Sequence, residues 1–231
     1  MAHPVVSPDE WQAARAALLK KEKEFTKLRD ALSRERRALP WEKVEQSYVF
    51  DGPNGPESLS DLFGGKSQLV VYHFMFNPDD DAGCPHCSFW ADHYDAAIPH
   101  LRQRDVSFVV ISRAPRSRLA AFQQRMGWKF KWLSSGKNSF NYDYRVSFTP
   151  ADSRKPLYNV GTLVPGMADR EGLSVFTKDA SGAIFRTYST YARGIDMING
   201  TYQILDLVPK GRDEDPEATQ SWVRYHDTYD A

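Results

Sequence analysis

Apolar positions recur with a helical period at the start of the chain and with a strand period later. Trp11, Ala14, Leu18, Phe25, Leu28 and Leu32 follow one another at spacings of 3, 4, 7, 3 and 4. Those intervals put them on one stripe of a helix. Ser7-Pro8-Asp9-Glu10 predicts its start, with Ser7 as cap, Pro8 in the first turn and Glu10 completing a capping box. The helix is expected to end near Leu39-Pro40. Mixed charges such as Lys20-Lys21-Glu22-Lys23-Glu24 read as its solvated face. The stripe is left to pack on the rest of the chain or on a second copy.

Tyr48-Val49-Phe50 before Asp51-Gly52-Pro53-Asn54-Gly55-Pro56 predicts a strand and a turn. Leu69 to Phe76 is an almost unbroken apolar run, which suits a strand buried on both faces of a parallel sheet. A helical stretch to about Leu101 is expected next, with Pro99 as a candidate terminator. Val106–Ile111 reads as a second central strand. Leu119, Phe122, Gln123 and Met126 mark a helix, and Phe130 and Trp132 alternate on a short strand. Residues 140–166, rich in Tyr, Asn, Pro and Gly, read as loops. Leu173–Phe176 and Ala183–Tyr188 flank Lys178-Asp179-Ala180-Ser181-Gly182, a hairpin signature. The order predicts one α/β domain over residues 46–211. An N-terminal helical extension, 1–45, precedes it, and an acidic C-terminal tail, 212–231, follows.

Composition narrows the function. Thirty basic and thirty acidic residues cancel, which argues against nucleic acid and anionic membranes as partners. No run of about 18 apolar residues exists to span a bilayer. The opening Met-Ala-His-Pro does not read as a signal peptide. The cytoplasm is the expected setting. Gly65-Lys66-Ser67 resembles the end of a phosphate-binding loop, but Ser60 stands where its first glycine belongs. Asn199-Gly200-Thr201 matches a glycosylation sequon, which carries no weight without secretion.

The two cysteines of the chain, Cys84 and Cys87, share one C-x-x-C. In a reducing compartment that spacing points to redox or metal chemistry. The tetrad Cys84-Pro85-His86-Cys87 follows a buried strand and opens a helix, whose free N–H groups and positive end stabilise a thiolate. Cys84, at the solvent side, is the expected nucleophile. Cys87, one turn inside, is the expected resolving thiol, and His86 tunes the thiolate. Asp79-Asp80-Asp81 oppose it. At about 7 Å in water each costs a thiolate roughly 0.6 kcal/mol, and Gly83 is expected to let the loop turn away. Two other readings stay open. The thiols could simply pack, or they could bind a metal with further ligands. His86, His93 and His100 tempt as ligands, but seven residues of helix span about 10.5 Å. His73, on the buried strand, reads as a satisfied core histidine. Trp128, Phe130 and Trp132 read as a half-buried strand rather than a base-stacking face. Tyr188, Tyr191, Arg193 and Tyr202 are further candidates for lining a pocket.

Strand, C-P-H-C, helix, strand, helix and late hairpin resemble the thioredoxin superfamily, and the tetrad is identical to that of the DsbA family of bacterial oxidants. From Tyr48 to Gly211 the chain also resembles domain-of-unknown-function family 899, a thioredoxin-like bacterial group. The residues that carry this are Tyr72-His73-Phe74-Met75-Phe76, Gly83 to Asp92 and Thr187 to Gly194. These resemblances imply a thioredoxin-like fold with a peroxiredoxin-like elaboration, a central sheet flanked by helices. The activity implied is a thiol–disulfide oxidoreductase without prosthetic group, acting on a protein or small-molecule disulfide or thiol. Thioredoxins carry a proline before the hairpin; Asp169-Arg170-Glu171-Gly172 has none, and the nearest is Pro165. Phe176, Asp179 and Gly182 resemble the peroxiredoxin hairpin, so thiol peroxidase is the alternative activity. That family's hydroxyl residue is replaced by Asp81, and its arginine falls near Leu173, with Arg170 and Arg193 as stand-ins. A non-catalytic module that binds a partner or a metal is the third reading. The N-terminal stripe adds self-association as an expected partner mode.

Overall fold

The computed structural model describes residues 3–152, 158–161 and 168–229. The chain divides into two units, Met1–Pro40 and Trp41–Ala231. The first unit is α1 (Pro8–Arg37), begun by the predicted capping box between Ser7 and Glu10. None of its residues is buried, and Trp11 and Phe25 are 57% and 64% exposed. No helix among the described residues is long and apolar enough to cross a membrane.

The second unit is built on one eight-stranded sheet. Its strands are β1 (Glu42–Lys43), β2 (Val49–Gly52), β3 (Gly55–Ser58), β4 (Gln68–His73), β5 (Val106–Ser112), β6 (Lys131–Ser134), β7 (Gly172–Lys178) and β8 (Ile184–Tyr191). They lie in the order β1-β8-β7-β4-β5-β6-β2-β3. β4, β5 and β6 are parallel, and the β7–β8 hairpin joins β4 antiparallel. The helices are α2 (Pro85–Ala91), α3 (Tyr94–Gln103), α4 (Arg116–Arg125), α5 (Phe140–Asp143) and α6 (Gly200–Leu205). β4, α2 with α3, β5, α4, then the β7–β8 hairpin and α6 form the thioredoxin-like arrangement, with β6 inserted before the hairpin.

Strand alternation splits the core between the two faces of the sheet. Tyr72, Phe74, Val110 and Trp132 pack on one face with side chains of α2, α3 and α4. Leu69, Val71, Val109, Ile111 and Leu133 pack on the other with Phe50, Phe140 and Phe176. Trp128, Phe130 and Trp132 are all buried, where the sequence predicts a half-buried strand, and only Trp132 lies on β6.

Local expectations differ from the structure in four further places. The helix after the cysteines is two helices, separated at Asp92-His93. His93 is drawn aside by Thr201, whose hydroxyl lies 2.9 Å from its Nε2 and whose N–H donates to the same nitrogen. Pro99 lies inside α3 and does not end it. Residues 140–166 hold α5 and a short helical turn at Pro150–Asp152, with Val146 and Tyr158 buried against Tyr191. Pro165 lies outside the described residues. Beyond Arg212, Trp222, Val223 and Tyr225 join the first core cluster, and Val223 is only 2% exposed.

Candidate active site

The two cysteines sit where the central strand hands over to a helix. After β4 the chain turns through residues 74–83 and closes on itself, Cys84 N–H donating to the Met75 carbonyl at 3.0 Å. Gly83 fits here because a Cβ would come within 2.7 Å of the Phe74 ring and 2.8 Å of the Phe122 ring. Close packing therefore requires this glycine, in place of the expected loop freedom. Its carbonyl accepts from the Tyr225 hydroxyl at 2.7 Å. Asp79, Asp80 and Asp81 are exposed and do not line the cysteine cavity. Arg118 holds their loop by donating to the Pro78 and Asp80 carbonyls at 2.9 and 2.7 Å.

Cys84 is the N-cap of α2 and half-buried, whereas Cys87 is buried in its first turn. The two cysteines approach to 3.9 Å. The Cys84 thiol is held below the usual thiol range, first because the Cys87 thiol donates to it. The backbone N–H groups of Cys87 and His86 add to this, while burial and the Glu171 carboxylate oppose it. The Cys87 thiol is pushed up by burial, then by its donation to Cys84 and by the charges of Cys84 and Glu171. Met75 N–H donates to the Cys87 sulfur at 3.4 Å. Burial and bonding thus separate a pair of identical groups into an ionisable outer thiol and a protonated inner one. His86 contributes its backbone N–H to Cys84, and its exposed side chain stands at the cavity.

Beside the pair lies a cavity of about 210 Å³. Tyr72, Met75 and Trp90 form part of its wall, with Arg170 and Glu171 before β7, Arg193 and Asp196 after β8, and Gln220 from the C-terminal segment. Glu171 reaches the cysteines through sheet register: His73, at the end of β4, pairs with Gly172, at the start of β7. It holds the position before the hairpin where thioredoxins place proline, and no described peptide bond is cis. Of the tyrosines and arginine picked from the sequence, Arg193 lines this cavity and Tyr202 an adjoining one. Tyr191 instead donates to the Tyr144 carbonyl at 3.0 Å.

The histidines do not converge. His73 is fully buried, with Nε2 2.9 Å from the Ser174 hydroxyl. Burial pushes its pKa down to about 3. Among the described residues no group of three or more His, Cys, Asp or Glu side chains is placed to hold a metal ion. Glu171, Asp196 and Gln220 escape sequence reasoning. Glu171 alone had a signal, its place directly before the hairpin strand.

Several solved structures are similar to part of the chain at low identity. Peroxidoxin BcpB from Mycobacterium tuberculosis is 18% identical, with a TM-score of 0.48 over 71% of this chain and 96% of that one. A cysteine-to-serine mutant of PrxQ from Xylella fastidiosa is 12% identical, with a TM-score of 0.43 over 68% and 88%. A mutant of peroxiredoxin Q from Xanthomonas campestris is 16% identical, with a TM-score of 0.44 over 68% and 90%. No curated protein sequence matches the chain. Residues 1–229, a wider span than the resemblance read from Tyr48 to Gly211, match the family described as "Bacterial protein of unknown function (DUF899)", and the chain belongs to that family.

Proposed function

We propose that the protein is a thiol–disulfide oxidoreductase whose working couple is the Cys84/Cys87 dithiol and disulfide. The observation that carries this reading is the division of labour between the thiols. The outer one is lowered in pKa beside a cavity, and the inner one is buried, kept protonated and 3.9 Å away. The Cys84 thiolate attacks a substrate sulfur and forms a mixed disulfide. Cys87 then loses its proton and attacks the Cys84 sulfur, releasing the second half of the substrate. The His86 N–H helps hold the thiolate, and its imidazole adds positive charge at the cavity when it carries a proton. In this reading a reducing compartment such as the cytoplasm supplies the thiols that reset the couple.

Two measurements test this. Limiting alkylation of the reduced protein at neutral pH, followed by peptide mapping, should label Cys84 well before Cys87. Equilibration with glutathione buffers should then show one reversible two-electron couple. Preferential labelling of Cys87, or no couple at all, overturns the assignment. Thiol peroxidase activity is separated by the rate of oxidation with hydrogen peroxide. Asp81, at the place of a peroxide-polarising hydroxyl, lines a different cavity with Arg118 and Phe122. Oxidation by peroxide is therefore expected to be slow beside disulfide exchange.

A further inference from the structure

The cysteine cavity contains a positive charge that no described residue neutralises. Arg170 is held in place by its backbone, whose N–H donates to the Val146 carbonyl at 2.8 Å. Its side chain is half-buried and lines the cavity, and its Nε is buried without an acceptor among the described residues. The nearby charges are otherwise engaged. Asp196 accepts from Arg212 at 3.0 Å and lies 3.4 Å from the Arg193 guanidinium. Arg212 is also bound to Asp206 at 2.8 Å. Glu171 lines the same cavity but forms no ion pair with Arg170; the Tyr158 hydroxyl donates to its backbone carbonyl at 2.9 Å. A half-buried guanidinium whose Nε lacks an acceptor is suited to a planar two-oxygen anion, which supplies one.

The shape of the site agrees with a small ligand. A volume of about 210 Å³ beside Cys84 suits a molecule rather than the face of a folded protein. The cavity shares Arg193, Asp196 and Gln220 with a neighbouring one of about 650 Å³, whose remaining lining includes Lys210, Asp213 and Glu214. A substrate extending from Cys84 in that direction meets polar and charged groups.

From the unengaged Arg170 beside the cysteine pair we infer that the substrate is a small disulfide bearing a carboxylate, which Arg170 receives while one sulfur lies against Cys84. This rests on the dithiol reading above. Cys84 thiolate displaces one thiolate from the disulfide. Cys87 gives up its proton to solvent and displaces the second from Cys84. The protein dithiol loses two electrons, and the substrate disulfide gains them as two thiols.

Three symmetrical disulfides of similar size test the charge: dithiodipropionate with two carboxylates, hydroxyethyl disulfide without charge, and cystamine with two ammonium groups. Each rate with the reduced full-length protein is divided by that of the same disulfide with free mercaptoethanol, which removes intrinsic reactivity. The normalised rate should be highest for dithiodipropionate, by about tenfold over hydroxyethyl disulfide, as one charge-assisted hydrogen bond warrants. Added salt should shrink that ratio. Arg170→Met should bring it close to one. The ratio and its salt dependence in the unaltered protein serve if this variant does not fold. Equal normalised rates for all three, or preference for cystamine, overturn the carboxylate inference and leave the dithiol reading standing. A fall of both rates in Arg170→Met with an unchanged ratio places Arg170 on the thiolate and also overturns it. Failure of every disulfide to oxidise the pair overturns both.

Discussion

Replacing Cys87 by alanine isolates the contact that does most to ionise Cys84. The inner thiol donates to the outer sulfur and is the largest cause of its lowered pKa. The N–H groups of residues 86 and 87 belong to the backbone and survive the substitution. A hydrogen bond to a charged acceptor contributes about 1.5–3 kcal/mol, and a thiol is a weak donor, so the lower end applies. About 1.4 kcal/mol is one pKa unit. Cys87→Ala should therefore raise the Cys84 pKa by about one unit, read from thiolate absorbance against pH. The effect on rate is smaller. Below both pKa values the thiolate fraction falls about tenfold, while each thiolate becomes about threefold more nucleophilic. Alkylation of Cys84 should then slow by roughly threefold. Cys87→Ser keeps a donor at the same place and should leave the pKa at or below its original value. An unchanged or lower pKa in Cys87→Ala would refute the argument and leave the backbone N–H groups as the cause.

His73 supplies an acid dependence of a definite sign. Its folded pKa of about 3 lies below the ordinary 6.5, so between those values the unfolded chain binds a proton that the native one does not. Stability must then fall with falling pH across that window, by up to about 1.4 kcal/mol per unit. Urea unfolding of His73→Gln should show that slope reduced, and an identical slope would assign acid sensitivity elsewhere. Gly83→Ala places a methyl against the Phe74 and Phe122 rings; overpacking of this kind costs about 1–3 kcal/mol and should lower Tm. Trp11, Leu18, Phe25, Leu32 and Leu39 recur every seven residues, and the prediction drawn from that spacing is self-association through this stripe. Leu18→Glu with Phe25→Glu and Leu32→Glu should lower the mass measured by light scattering, and equal masses would show that this face joins no copies.

Local chemistry made part of this legible in the sequence. The run from Leu69 to Phe76 announced a central strand because both of its faces are buried. The Asp179–Gly182 turn announced the hairpin, and the cysteine tetrad announced a strand-to-helix corner. Contacts between distant residues stayed hidden. Glu171 reaches the cysteines because Gly172 pairs with His73 across the sheet, and nothing near Glu171 in the chain specifies that register. The helix breaks at Asp92-His93 because Thr201 holds His93 and Trp128 donates to Asp92 at 2.7 Å. Pro99 survives inside α3 because Tyr94 and Ile98 anchor that helix in the core. In each case tertiary contacts overrode a correct local preference.

The use of Gln220 as cavity wall and Tyr225 as the tie on Gly83 has a consequence for synthesis. Gln220 follows Cys84 by 136 residues. Translation at about 5–20 residues per second separates their emergence from the ribosome by on the order of ten seconds. During that interval the nascent chain presents both thiols before their enclosure exists. On the dithiol reading, the pair meets oxidants and disulfides during that interval without the Gln220 side of its wall. The order of synthesis therefore makes the C-terminal segment the last part of the cysteine site to be built, and Tyr225 ties Gly83 only once that segment is complete.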